Sequence, residues 1–220
     1  MIITGGIGSG KTLSIVKEIV DRGQKCFTNF NLVNIPYTRL KQEHLIIPDP
    51  EDKKKHKVNF KFWNDEKKKG GFDIHLDEFH NLMNSRRGMS KGNVLLSNWL
   101  SQIRKVLGES ECNNLYLITQ KLRRIDVNSR DLCTRAIKCY KQVFNDIPYP
   151  TEIYKDGKII VKELPLTMIY KYYFQDADSL NAYEQYGINT CIGITRFVGN
   201  NYFKYYDSYA LVEMGADIYI

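Results

Sequence analysis

The first twelve residues, MIITGGIGSGKT, constrain this chain more than any other stretch. A short β-prone run, Met1 to Thr4, enters a glycine-rich loop that closes on Lys11 and Thr12. Gly5, four residues, then Gly10, Lys11 and Thr12 match the spacing of a phosphate-binding loop, or P-loop. Such a loop turns backbone N–H groups inward around an anion at the start of a helix, and side chains in place of glycine would block that approach. On this reading Gly6, Ile7, Gly8, Ser9, Gly10, Lys11, Thr12 and Leu13 cradle the phosphates of ATP. Lys11 places a point charge on the β- and γ-phosphates, and the Thr12 hydroxyl ligates Mg²⁺. Leu13, Val16, Ile19 and Val20 recur at helical spacing up to Arg22-Gly23, so the loop lies between a strand and a helix.

A second chemical element follows Gly70-Gly71, where Phe72, Ile74 and Leu76 alternate and Asp77 and Glu78 stand at the strand's end. In a P-loop protein the first carboxylate there holds Mg²⁺ and the second polarises the attacking water, so Asp77 is the expected metal residue and Glu78 the base. The structural alternative is that the pair caps the following helix. Asp73 and His75 share the parity of Asp77, which departs from the near-continuous apolar pattern of a buried parallel strand. His75 reads as a hydrogen-bonded interior histidine rather than a catalyst. Further on, Asn114 to Thr119 reads as a buried strand ending at Gln120, a polar side chain placed to sense the γ-phosphate.

The 220 residues are 43% hydrophobic, which suits one globular α/β domain with a small appended lobe and argues against disorder. A strand starting at Met1, with no run of about 18 apolar residues, leads us to expect a cytoplasmic protein with no leader and no membrane span. Five cysteines without a C-x-x-C pair argue against zinc or redox chemistry and read as mostly buried thiols. The formal net charge of +7 suits nucleic acid or simple solubility. Lys53-Lys54-Lys55 and Lys67-Lys68-Lys69 flank Val58 to Trp63, which alternates like a strand; these lysines either touch phosphates or face water. Asn93 to Leu107 is the clearest amphipathic helix, with Trp99 in its apolar face and Gly108 at its end. Arg135 to Phe144 reads as a strand, Asp156-Gly157 as the turn of a hairpin, Asp176 to Tyr186 as a capped helix and Cys191 to Val198 as a last strand.

In order and spacing, GGIGSGKT, HLDEFHNLMNSR and NNLYLITQ, followed by Arg123, Asp126 and Arg135, resemble the FtsK–HerA superfamily of DNA-pumping ATPases. The similar branches are the genome-packaging ATPases of membrane-containing and archaeal viruses and the Zot-type assembly proteins of filamentous phages. The resemblance covers residues 1–145. It implies an α/β P-loop NTPase core of the ASCE/RecA-like kind, a mostly parallel central sheet flanked by helices, with residues 146–220 as a β-rich extension packed on it. It implies that the Gln120 strand lies between the P-loop strand and the Asp77 strand, that Gln120 is a sensor, and that ATP and Mg²⁺ are bound. It also implies a hexameric ring acting on DNA, double-stranded and without sequence preference, with a capsid or portal partner, in host cytoplasm or virion. Zot-type proteins carry a transmembrane helix after the ATPase domain; none is seen in this sequence, which favours the packaging branch.

Around the γ-phosphate these residues lack one strong positive charge beyond Lys11, which we expect from an arginine of a neighbouring subunit. Arg86 and Arg87 rank first because they lie in a Gly- and Ser-flanked stretch beyond Glu78, with Arg104, Arg130 and Arg135 behind them. Lys67, Lys68, Lys69, Arg123 and Arg124 are the candidate DNA contacts. The competing class is a small-molecule kinase, since Thr4 to Lys11 resembles the loop of dephospho-coenzyme A kinases. Against it stand the Asp77-Glu78 pair, the strand-end Gln120, the lack of an arginine-rich lid and the hairpin-rich tail. A nucleotide-binding switch or assembly protein is the third class.

Overall fold

The strand that carries the P-loop, β1 (Ile2–Thr4), is buried along its whole length, as expected of a parallel strand covered on both faces. In the computed structural model, which describes residues 1–51, 56–79, 91–108, 112–125 and 127–206, it pairs in parallel with β7 (Asn114–Ile118) on one side and β8 (Ala136–Lys155) on the other. β7 pairs in turn with β6 (Phe72–Leu76), and outside it lie β2 (Lys25–Thr28) and β3 (Thr38–Arg39), all parallel. β9 (Lys158–Phe174) and β10 (Gly193–Val198) extend the other edge antiparallel, giving the order β10-β9-β8-β1-β7-β6-β2-β3. The Gln120 strand thus lies between the P-loop strand and the Asp77 strand, as the resemblance implied. β4 (Ile46–Pro48) and β5 (His56–Val58) form a separate small ribbon beside the short helix α2 (Gln42–Leu45).

Because strand side chains alternate between faces, the sheet separates two apolar layers. Ile3, Tyr116, Ile118, Ile137 and Cys139 meet Ile15, Val16 and Ile19 of α1 (Lys11–Arg22). Ile2, Phe72, Ile74 and Leu76 meet Trp63 of α3 (Phe60–Lys69), Trp99 of α4 (Lys91–Ser101), Val106 of α5 (Ile103–Leu107) and Leu180 of α7 (Ala177–Tyr186). A short helix, α6 (Val127–Asp131), precedes β8. The polar parity of β6 falls on the α1 face. There Asp73 accepts from Arg22 Nε at 2.7 Å and from the Asn114 backbone at 2.9 Å, and His75 stacks on Tyr116 with ring centroids 4.6 Å apart.

One expectation is corrected. Phe60 to Trp63 is helical rather than extended, because Asn59 caps the turn, its side chain accepting from Phe62 N at 3.2 Å. Phe60 and Trp63 also stand three residues apart, a helical spacing that competes with the alternation of Phe60 and Phe62. Lys67, Lys68 and Lys69 then occupy the last turn of α3, where positive charge suits the helix dipole.

The longest feature is the β8–β9 hairpin, whose strands of 20 and 17 residues turn at Asp156 and Gly157 with φ of 50° and 79°. Two consecutive left-handed residues make the tight turn whose twist suits a hairpin. β8 runs through residues 145 and 146, and its pairing shifts register between Phe144 and Pro148. After β10 a 3-10 segment, Gly199–Tyr205, returns across α1 and the hairpin. Among the described residues no helix is long and apolar enough to cross a membrane.

Candidate active site

The glycines of the loop are there for geometry. Gly5 (φ 148°) sits where an added Cβ would lie 2.4 Å from Ser9 Oγ and 2.7 Å from the Cys139 carbonyl. Gly10 (φ 86°) caps α1 in the left-handed region, and a Cβ there would lie 2.3 Å from Ile169 Cδ1. Among the described residues no side chain caps the first turn of α1, an arrangement that suits an anion at its outermost N–H groups. Lys11 is folded over the loop, its Nζ donating to the carbonyls of Gly5 and Gly6 at 2.9 Å each.

At the end of β6, Thr12 Oγ1 donates to Asp77 Oδ2 at 3.0 Å, so the two residues expected to hold Mg²⁺ are in direct contact. Asp77 is 3% exposed, and its pKa is raised by burial and the Glu78 charge against the opposing pull of Thr12 and Lys11. A divalent cation at this carboxylate would relieve that cost. Among the described residues no cluster of three or more His, Cys, Asp or Glu could hold a metal. A hydroxyl and a carboxylate beside a phosphate loop suit Mg²⁺, which is bound by few oxygen ligands together with phosphate and water, better than they suit zinc.

Asn29, just beyond β2, fixes the Asp77 backbone at two points. Its Nδ2 donates to Asp77 O at 2.9 Å and its Oδ1 accepts from Asp77 N at 2.7 Å. The chain then breaks sharply at Glu78, whose φ of 49° is rare for glutamate. Gln120 Nε2 donates to Glu78 Oε1 at 3.3 Å, and Arg124 of the turn after β7 donates to Gln120 Oε1 at 3.1 Å. A chain of contacts thus runs from an exposed basic turn to the expected base. His75, with its pKa pushed down by burial to about 3, is neutral at ordinary pH, and neither ring nitrogen has a hydrogen-bond partner among the described residues. It is interior, as expected, but held by stacking rather than hydrogen bonds.

The structure brings Lys11, Thr12, Asp77, Glu78 and Gln120 to the C-terminal edge of one sheet. It does not bring the described arginines to the loop: Arg104 in α5, Arg130 in α6 and Arg135 before β8 do not line the loop's cavity. Arg86, Arg87 and Asp126 lie outside the described residues. Lys67 donates to Lys105 O at 2.7 Å, Lys68 pairs with Asp65 and Lys69 with Glu66, so these lysines have partners within the protein. Sequence reasoning missed Asn29, for want of any motif around it. It also missed the far wall of the cavity, about 960 Å³, which the hairpin supplies with Lys141, Tyr154, Lys155 and Lys162 and the 3-10 segment with Phe203. Lys141 was legible as the next residue on the face that carries Ile137 and Cys139.

A family model described as zonular occludens toxin (Zot) matches residues 1–211. This chain belongs to the Zot family. That is one of the two branches the motifs resemble, and the match is carried without any membrane helix among the described residues. No curated protein matches the Zot-family chain. Among solved structures it is similar to the N-terminal domain of zonular occludens toxin from Neisseria meningitidis, at 18% identity over 90% of this chain and 91% of that one, with a TM-score of 0.45. It is also similar to the genome-packaging NTPase B204 of Sulfolobus turreted icosahedral virus 2 in complex with ATP-γS, at 10% identity over 81% and 92%, with a TM-score of 0.42. EssC ATPases 2 and 3 of Geobacillus thermodenitrificans match at 14% identity over 62% of this chain and 31% of that one, with a TM-score of 0.39. These likenesses are distant, and the family assignment stands on the sequence match alone.

Proposed function

We propose that this Zot-family chain is an ATP-hydrolysing motor that moves DNA during virus assembly. The observation that carries the reading is the meeting of Thr12 and Asp77 at 3.0 Å beside the loop, with Glu78 and Gln120 joined next to them. The loop N–H groups and Lys11 hold the triphosphate, Lys11 exchanging the carbonyls of Gly5 and Gly6 for phosphate oxygens. Thr12 and Asp77 hold Mg²⁺, which when bound neutralises charge on the β- and γ-phosphates. Glu78 orients the attacking water and takes its proton, while Gln120 keeps the Glu78 carboxylate in place. Arg124, exposed at the other end of that contact chain, is where a DNA phosphate would be felt. Double-stranded DNA is bound through its backbone without sequence preference, by a homo-oligomeric ring that we take to be a hexamer.

The family match favours phage assembly and secretion over capsid filling as the setting, with the same chemistry at the site. Turnover measured with and without duplex DNA, beside the oligomeric mass, tests the reading. Hydrolysis that rises with DNA supports it. Phosphoryl transfer to a small acceptor in place of hydrolysis would make the chain a kinase, and nucleotide affinity without turnover would make it a switch.

A further inference from the structure

The cations that face the P-loop from the hairpin have no use in the function proposed above. Ile137 and Cys139 of β8 pack under α1, and Lys141, next on that face, reaches the loop: its Nζ lies 3.9 Å from where a Cβ on Gly8 would be. Lys155 and Lys162 line the same cavity from the far end of the hairpin. Fourteen residues of straight strand at about 3.3 Å each would carry Lys155 roughly 45 Å from Lys141, so the arm must curl to place both on one cavity.

The structure shows what curls it. At the register shift, Asn145, Asp146 and Ile147 stand on β8 against no residue of β9, since Phe144 pairs with Leu166 and Pro148 with Pro165. Asn200, 1% exposed, pins this point by accepting from Thr167 N at 2.7 Å and donating to Thr151 Oγ1 at 2.7 Å and Pro165 O at 3.2 Å. Beyond it, Tyr149 donates to Asn201 at 3.0 Å and Lys204 pairs with Glu152. The bend is built in.

Charge pairing separates these lysines from their neighbours. Lys138, Lys171 and Lys204, which lie off the cavity, pair with Glu184, Glu18 and Glu152. Among the described residues Lys141, Lys155 and Lys162 have no acidic partner, and Asp156 is the single carboxylate lining a cavity that also holds Lys11. Converging like charges in a cleft repel one another unless a polyanion neutralises them.

We infer that the hairpin completes the nucleotide site from within the same chain, with Lys141 a phosphate-binding cation beside Gly8 and the curled tip, through Lys155 and Lys162, a positive wall facing the triphosphate. Lys141 thereby supplies in cis a charge that the sequence pattern leaves to a neighbouring subunit. This rests on the P-loop reading above. The test is calorimetric titration of ATP-γS into the full chain and into Lys141→Ala, Lys141→Arg and Lys11→Ala, with thermal unfolding of each without nucleotide. Lys141 is exposed, so Lys141→Ala should unfold at the unsubstituted midpoint, bind ATP-γS roughly tenfold more weakly, and lose part of its salt dependence. Lys141→Arg should restore most of the affinity. Equal affinity in Lys141→Ala and the unsubstituted protein overturns this inference alone. No binding of ATP-γS by the unsubstituted protein overturns the P-loop reading and this inference with it.

Discussion

Asn29 shows how one uncharged side chain can decide whether two charged ones are useful. Its amide grips both the N–H and the carbonyl of Asp77, and so sets where the Asp77 carboxylate meets Thr12 and how the chain turns into the left-handed Glu78. Displacing catalytic groups by about 1 Å can cost up to about 10²-fold in rate. We expect Asn29→Ala to lower kcat by roughly ten- to a hundredfold while changing KM for ATP little, a split that steady-state kinetics would read. A raised KM with unchanged kcat would mean that Asn29 serves binding alone. Gly5, Gly8, Gly10, Lys11, Thr12, Asp77 and Glu78 were legible because each is bound to a spacing that chemistry requires. Asn29 was not, since a single asparagine after a strand has many ordinary uses.

At the scale of elements, Asn200 and Glu66 carry measurable weight. Removing the Asn200 amide leaves the buried Thr167 N–H without its acceptor, a cost of about 1–3 kcal/mol. Asn200→Ala should therefore lower the urea midpoint, and by loosening the hairpin should also weaken nucleotide binding; an unchanged midpoint would remove the pin. Glu66 of α3 is buried, which alone would raise its pKa, but its bonds to Lys25 and Lys69 outweigh burial and hold it below the ordinary glutamate value. A carboxyl lowered in the fold adds stability above its unfolded pKa and loses it as pH falls through the folded one. Urea midpoints followed downward from pH 5 should fall less steeply in Glu66→Gln than in the unsubstituted protein. α3 itself was misread because Phe60, Phe62 and Trp63 satisfy two periods at once, and the Asn59 cap that decides between them is a weak sequence signal.

Across the whole molecule, the resemblance carried by the P-loop, Asp77-Glu78 and Gln120 implied the mostly parallel sheet, and Asp156-Gly157 gave the hairpin turn. Neither gave the hairpin's length or its curl, because a register shift at Phe144 and Pro148 and a pin from Asn200 are long-range facts with no local periodicity. The net charge of +7 bears on the partner. Arg123 and Arg124 lie exposed on the turn that leads through Gln120 to Glu78, so we expect DNA contact there to bear on the site. Duplex affinity should fall linearly in a log–log plot against salt, and Arg124→Ala should flatten the slope by about one phosphate. Affinity that is indifferent to salt would contradict a backbone-binding motor.

The central claim is that Lys11 grips the nucleotide while Glu78 acts on the water, and it is tested most directly by measuring ATP affinity and turnover together in Lys11→Ala and Glu78→Gln. Lys11→Ala should lose both. Glu78→Gln should keep near-normal affinity and lose about 10²- to 10⁴-fold in rate, since removing a general base spares the ground state. Near-normal turnover in Glu78→Gln, or undiminished binding in Lys11→Ala, would contradict the account.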